Sequence, residues 1–195
     1  MKNLIILMLL VLSSNVIMAQ QETLIDKQIE NGGYGAILFK VGPINGSTGF
    51  FVGAQGGWII NHRFVIGGMF NGLANKIEVE GMQNIKLQVD YGGAILEYIF
   101  ASDNLVHFNV QSMFGGGGVY YEVIDYQNPH NNINFSPDSF FVWEPGANAI
   151  INVTKHFRIG IGATYRYVSG VEYEDLTNSD LRGITGQFFL KFGKF

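Results

Sequence analysis

Seven ionisable side chains interrupt otherwise apolar stretches of this sequence, and they are the residues that could do chemistry. They are Arg63, Glu97, His107, Glu144, Arg158, Arg166 and Lys191. Glu144 stands out because it lies within the apolar run FFVWEPG and is followed by Pro145. A carboxylate in an apolar environment is costly unless it is paired. Such a set could form structural ion pairs, conduct ions or protons, or supply a general base.

A catalytic role requires a nucleophile within reach of the base. His107 could serve a serine in the manner of outer-membrane lipid hydrolases. The nearest candidate, Ser112, falls on the other face of the same predicted strand, and His130 has no evident orienting partner. We therefore predict no catalytic residues and a protein that is not an enzyme.

Two further motifs suggest ligands but lack the required context. The run GGGG at 115–118 is followed by VYYEV, with neither a helix start nor a lysine at phosphate-loop spacing. It is expected instead to let large neighbours pack against bare backbone. The acidic loop with Glu172, Glu174, Asp175 and Asp180 has no EF-hand spacing. We predict no cofactor and no metal.

In the segments that carry the seven side chains, apolar residues alternate with polar residues or glycine. This period of two is typical of strands with two different faces. Eight such segments are predicted, at 34–42, 50–60, 63–73, 85–100, 105–120, 141–153, 157–167 and 184–192. The alternation changes phase at Gly92-Gly93, which predicts a β-bulge there. A second bulge or a local widening is expected at Pro145-Gly146, because proline cannot donate to a ladder.

The connections alternate between two lengths. Tight turns are predicted at 61–62, 102–103 and 154–155, and longer polar loops at 43–48, 74–84, 121–139 and 169–182. Short turns at one end and long loops at the other are typical of outer-membrane barrels. The predicted fold class is all-β, an eight-stranded antiparallel up-and-down transmembrane β-barrel.

Aromatic residues fall at both ends of the predicted apolar exterior, as expected where strands cross two headgroup layers. Trp58, Tyr98, Phe157 and Phe192 lie toward the short turns, and Trp143, Tyr165 and Tyr167 toward the long loops. The charged set then faces the lumen, together with Lys40, Gln55, Gln111 and Gln187. Glu144 and Arg166 come out at similar heights on neighbouring strands, so Arg166 is expected to neutralise Glu144. The other five charged residues lie nearer the short turns.

The chain is divided into three segments. Lys2 and the apolar run LIILMLLVL predict a cleaved signal peptide over residues 1–19. Residues 20–32 form a polar periplasmic lead-in, and residues 33–195 form the barrel. The formal net charge of −4 and the absence of any basic run argue against nucleic acid as a partner. The mature chain contains no cysteine, which excludes a disulfide framework.

The segments YGGAILEYIF, FFVWEPG, NVTKHFRIGIGATYRYVSGV and LRGITGQFFLKFGKF resemble the small eight-stranded outer-membrane β-barrel proteins of Bacteroidetes. The resemblance covers most of residues 90–195. It implies a barrel fold but little about activity, because many such barrels have no assigned biochemical role. A terminal aromatic is the usual assembly signal of these barrels. Phe195 supplies one, although it falls on the opposite phase to Phe192.

Three functions follow from this interpretation. The first is a structural or interaction role in the outer membrane of a diderm bacterium, with a filled lumen and both termini periplasmic. The loop at 121–139 is then a possible contact for an extracellular partner, since long loops on rigid scaffolds carry binding. Outer-membrane lipid and the barrel-assembly machinery are the other expected partners. The alternatives are a narrow channel for ions or small solutes and, third, a lipid-modifying enzyme.

Overall fold

The computed structural model describes residues 30–78, 85–123, 133–134, 138–173 and 176–195. Its strands are β1 (Asn31–Ile44), β2 (Ser47–Ile60), β3 (Phe64–Leu73), β4 (Ile77–Glu78), β5 (Ile85–Phe100), β6 (Val106–Val123), β7 (Ile133–Asn134), β8 (Asp138–Asn152), β9 (Phe157–Ser169) and β10 (Gly183–Lys194). A short helix, α1 (Asn178–Leu181), precedes β10. Among these residues, no helix has the length and apolar character needed to span a membrane.

Eight of the strands form a closed, antiparallel, up-and-down barrel, which confirms the predicted fold class. The order around the barrel is β1, β2, β3, β5, β6, β8, β9 and β10, and β10 pairs with β1 to close it. The two short strands, β4 and β7, lie against the outer parts of β5 and β6. Closure gives each of the eight long strands a neighbour on both sides and removes free sheet edges.

The turns define two different ends. The connections at 61–63, 101–105 and 153–156 lie together with Glu30 and Phe195 at one end, called here the turn end. The opposite end is called the loop end. One expected loop is absent from it: residues 43–48 instead form a two-residue hairpin turn at Asn45-Gly46, with φ of 45° and 70°. Positive φ at both positions is the geometry of tight hairpins, and Asn-Gly suits it.

The predicted bulge at Gly92-Gly93 is wrong. The β3–β5 pairing keeps one register from Gly72–Asp90 to Phe64–Tyr98, and the β5–β6 pairing is equally regular. Leu87 and the other odd-numbered residues of this strand face inward along its whole length. The apparent change of phase arises because the interior near the loop end is itself apolar.

Pro145 perturbs the sheet in a milder way than a bulge. The β8–β9 register is the same on both sides of it, but the pairs between Trp143–Tyr167 and Gly146–Thr164 are missing. On the other side Pro145 pairs regularly with Ser112. The ladder therefore opens locally where proline has no N–H, and the side-chain phase is preserved.

The outer surface of the barrel is apolar and the interior is mixed. Exposed apolar side chains occur on every long strand and include Ile37, Val52, Ile66, Leu96, Val110, Phe141, Ile161 and Phe188. The interior contains a large apolar cluster toward the loop end and a smaller one at the turn end. Polar and charged side chains occupy the region between these clusters.

Bare glycine backbone permits close contacts inside the barrel. Gly117 lies under the ring of Phe140, where an added Cβ would come within 2.4 Å of Cζ. Gly93 pairs with Gly115, and a Cβ on Gly115 would lie 2.0 Å from the carbonyl oxygen of Gly92. The GGGG run thus serves packing, as expected from the sequence.

We expect Gly115→Ala to lower the free energy of unfolding by about 2 kcal/mol or more, because backbone must move to admit the methyl group. Gly35→Ala is the matched control, since an added Cβ there meets nothing within 4 Å. Urea unfolding of the refolded protein, followed by tryptophan fluorescence, measures both variants. Equal stability of the two would contradict the close packing at Gly115.

Candidate functional site: the polar lumen

The partner of Glu144 in the lumen is Lys40. Their side chains form an ion pair and are fully buried. The ammonium group also lies 3.6 Å from the Met69 sulfur and 5.7 Å from the centre of the Tyr91 ring. The carboxylate of FFVWEPG is therefore compensated by a lysine on β1, across the barrel interior.

The expected pairing of Arg166 with Glu144 is wrong. The Arg166 Nε donates to the carbonyl oxygen of Leu181 at 2.6 Å, and its Nη2 donates to that of Pro43 at 2.7 Å. The guanidinium also lies 4.7 Å from the centre of the Phe51 ring. Arg166 thus binds backbone near the loop end, and Lys40 is left to neutralise Glu144.

A second ion pair, Lys191–Glu97, lies nearer the turn end. The lysine Nζ is 2.7 and 3.0 Å from the two carboxylate oxygens. The Tyr34 hydroxyl donates to the same carboxylate at 2.8 Å, and the Asn109 amide donates to it as well. Gln55 in turn donates to the Tyr34 hydroxyl. With several donors around it, Glu97 is satisfied as an ionised group.

A series of side-chain amides leads away from this pair. Asn148 Nδ2 donates to Asn109 Oδ1 at 2.8 Å and to Gln111 Oε1 at 3.0 Å, and Gln187 Nε2 donates to Asn148 Oδ1 at 2.5 Å. Gly162 lies between Asn148 and Gln187 in the sheet, and a Cβ on it would lie 2.0 Å from Asn148 Oδ1. The missing side chain leaves room for the amides to meet. We call Asn109, Asn148, Gln111 and Gln187 the amide ladder.

The remaining predicted charges lie at the turn end. His107 and Arg158 face inward and are buried. The Arg158 guanidinium lies 3.9 Å from the centre of the Phe195 ring, which stacks on Tyr34 at 6.3 Å. Arg63 is not luminal, contrary to expectation. It lies exposed in the 61–63 turn because β3 begins one residue later.

The predicted aromatic residues all lie on the outer face. Trp58, Phe192, Trp143 and Tyr165 are exposed, and Tyr98, Phe157 and Tyr167 are half-buried. Several belong to ring pairs: Phe157 stacks on Phe192 at 4.7 Å, Phe64 meets Tyr98 at 4.9 Å, and Trp143 stacks on Phe114 at 6.2 Å. Phe195, in contrast, points inward although β10 continues to Lys194.

Apolar layers cover the polar lumen at both ends. At the loop end, Leu176 and Leu181 from the β9–β10 connection are buried in the large apolar cluster. Asn45 N–H donates to the carbonyl of Asp180 at 2.7 Å, and Arg182 Nε donates to that of Val168 at 2.8 Å, which hold this connection in place. At the turn end the smaller cluster includes Ile59, Val65 and Ile99, with Phe195 packed against it.

Sequence reasoning missed the role of Tyr34 and the choice of Lys40 as the partner of Glu144. Both residues lie on the inward, even-numbered face of β1, so the alternation alone could have placed them in the lumen. Their partners belong to strands far away in sequence, such as Glu97 and Glu144. The stagger of the strands decides which side chains meet across the interior, and this stagger cannot be read from a single sequence.

Solved structures with this architecture are small eight-stranded outer-membrane β-barrels. Neisserial surface protein A matches with a TM-score of 0.57 and 12% identity, over 87% of this chain and 100% of that chain. The N-terminal β-barrel domain of Pseudomonas aeruginosa OprF matches with a TM-score of 0.54 and 11% identity, over 85% and 99%. No family model and no curated protein matches the sequence. The likeness is one of fold.

The buried Lys40–Glu144 pair generates a stability prediction. Glu144→Leu or Lys40→Met alone should lower the free energy of unfolding by about 3–5 kcal/mol, because each leaves a buried charge without its partner. The double variant should recover most of that loss, since no charge remains uncompensated. Urea unfolding of the four proteins gives the coupling free energy of a double-mutant cycle. Additive losses would contradict the pairing.

Proposed function

We propose that this chain is an integral outer-membrane protein with a closed lumen, which acts through structure and through contacts made at its loop end. The observation that carries the proposal is the filling of the lumen. Two ion pairs and the amide ladder occupy its middle, and apolar layers cover both ends. An eight-stranded barrel encloses a space that side chains just fill.

The membrane location is supported by the outer surface. A soluble protein rarely exposes apolar patches of more than a few hundred square ångströms, whereas this barrel is apolar all round. The fold neighbours are outer-membrane barrels as well. Together with this location, we propose that the turn end faces the periplasm and that the outer surface contacts lipid. We further propose that the barrel-assembly machinery inserts the protein and that the chain is related to the small barrels of Bacteroidetes. The signal peptide over residues 1–19 lies outside the described residues and stays a prediction.

A role at the loop end is supported by the extension of the barrel wall there. β5 and β6 continue beyond the end of β3, and β4 and β7 pair with them. Charged residues such as Lys86, Asp90 and Glu122 replace apolar ones on this part of the wall. Most of the 121–139 loop lies outside the described residues, and we retain it as the proposed contact for an extracellular partner.

A non-enzymatic role is supported by the surroundings of the candidate base. His107 is buried in the lumen, whereas Ser112 lies on the outer face and accepts a hydrogen bond from Trp143 Nε1 at 2.9 Å. A histidine acting as general base must lie within hydrogen-bond reach of its nucleophile. These two residues are separated by the barrel wall.

The proposed location predicts how the outer face responds to charge. Ile161→Arg should lower the free energy of unfolding in lipid vesicles by about 2–4 kcal/mol, because it puts a guanidinium into hydrocarbon. Leu105→Arg is the control: Leu105 is 69% exposed against 66% for Ile161, but it lies in the 101–105 turn. Equal responses of the two variants would contradict the proposed lipid belt.

The closed lumen predicts the outcome of planar-bilayer recording. The refolded wild-type protein should give no sustained conductance, and a general porin added to the same bilayers is the positive control. Stable conductance from wild type, raised further by Glu144→Ala, would refute the closed lumen and favour the narrow channel. Heat-modifiable migration on gels confirms that the protein added to the bilayer is folded.

A further inference from the structure

The described lumen contains more cations than carboxylates. The cations are Lys40, Arg158, Arg166 and Lys191, and the carboxylates are Glu97 and Glu144. Both carboxylates are taken by the lysines, and Arg166 is satisfied in part by two backbone carbonyls. Among the described residues, Arg158 is the luminal cation that has neither a carboxylate at ion-pair distance nor a backbone acceptor for its Nε.

The surroundings of Arg158 orient it without neutralising it. Arg158 is only 9% exposed, and its guanidinium carbon lies 3.9 Å from the centre of the Phe195 ring. Among the described residues no carboxylate forms an ion pair with it, and its Nε has no hydrogen-bond acceptor. Burying a charge without a partner is costly, and a guanidinium held against a ring still presents its edge to an oxyanion.

A cavity of about 430 Å³ opens beside this guanidinium at the turn end. Lys155 and Lys194 line it and are exposed. The side chain of Asn152 donates to the carbonyls of Ser102 and Asn104 at 3.0 and 2.8 Å, which ties the 101–105 turn to β8. The cavity thus combines one buried cation with two exposed ones, beside a turn that is held by hydrogen bonds.

The cavity lining can also accept hydrogen bonds, because it includes the exposed carboxylate of Asp103. A bare anion would leave this acceptor unused. An oxyanion that also carries a donor, such as the phosphate of an amino-alcohol ester, can contact both the cations and Asp103.

The position of the lysines connects the cavity to the membrane interface. Phe157 and Phe192 pair across β9 and β10 on the outer face, and Lys155 and Lys194 follow two residues further toward the turn end. On the basis of the proposed membrane location, Phe157 and Phe192 lie in the aromatic belt, and Lys155 and Lys194 lie at the level of the inner-leaflet headgroups.

We propose that this cavity binds a phosphate ester, with Arg158 and the two lysines holding the phosphate and Asp103 accepting from a donor on the ester. The phosphate can belong to a soluble ester or to an inner-leaflet phospholipid. The lipid source rests on the proposed membrane location, whereas binding of a soluble ester does not.

Calorimetric titration in uncharged detergent micelles and chloride buffer tests the site with two probes. O-phosphoethanolamine represents a soluble ester, and dihexanoyl phosphatidylethanolamine represents the lipid. Arg158→Gln should weaken binding about tenfold or more, because a charge-assisted contact is lost. Lys155→Gln combined with Lys194→Gln should also weaken it. Arg63→Gln is the matched control, since this exposed arginine lies at the same end but outside the cavity.

If both probes bind and both depend on Arg158, a soluble ester is a sufficient ligand. If only the lipid binds in an Arg158-dependent way, the cavity is a headgroup site. Wild type that binds neither probe, or equal weakening by Arg63→Gln, overturns the proposal. If gel mobility shows that Arg158→Gln does not fold, the double lysine variant provides the test. A conducting barrel that still binds O-phosphoethanolamine would refute the closed lumen while leaving this site intact.

Discussion

The interior of a narrow closed barrel must satisfy its own polar groups, and most other features of this protein depend on that constraint. Among the described residues, the two luminal carboxylates each have a lysine partner, Lys40 for Glu144 and Lys191 for Glu97. The amide ladder begins at Glu97 through Asn109 and ends at Gln187, which is the cross-strand neighbour of Lys40. The two ion pairs therefore lie in one polar layer. Among the described residues its hydrogen bonds extend from Lys191 to Gln187, whose Oε1 has no partner.

The glycine content follows from the same constraint. A polar or aromatic side chain that crosses the lumen needs a strand on which no side chain points back at it. Gly162 provides this for the contact between Asn148 and Gln187, and Gly160 provides it for Phe189, whose Cζ would lie 2.1 Å from an added Cβ. An inward-facing glycine thus leaves room for a side chain from another strand. This use differs from that at Asn45-Gly46, where glycine permits a positive φ.

The sequence was sufficient for the fold and for most of the faces, because both depend on a period-two pattern that each strand carries locally. It failed where a local pattern is ambiguous. In β5, Leu87, Val89 and Tyr91 looked like an outer face because they are apolar, yet they belong to the interior cluster. Arg63 was misplaced because one residue separates the turn from β3. Partner choice in the lumen also failed, because stagger and contacts across the interior decide whether Lys40 or Arg166 reaches Glu144.

The two luminal arginines show how differently the ends of the barrel are closed. Arg166 donates to the carbonyls of Pro43 and Leu181, so the chain itself supplies the acceptors, and Leu176 and Leu181 then cover the lumen with apolar surface. Arg158 lies against an aromatic ring, has no ion pair among the described residues and lines an open cavity. The loop end is thus closed by interactions within the chain, although Arg166 Nη1 has no acceptor among the described residues. At the turn end Arg158 has no ion-pair partner among the described residues, and the proposed phosphate ester would supply one.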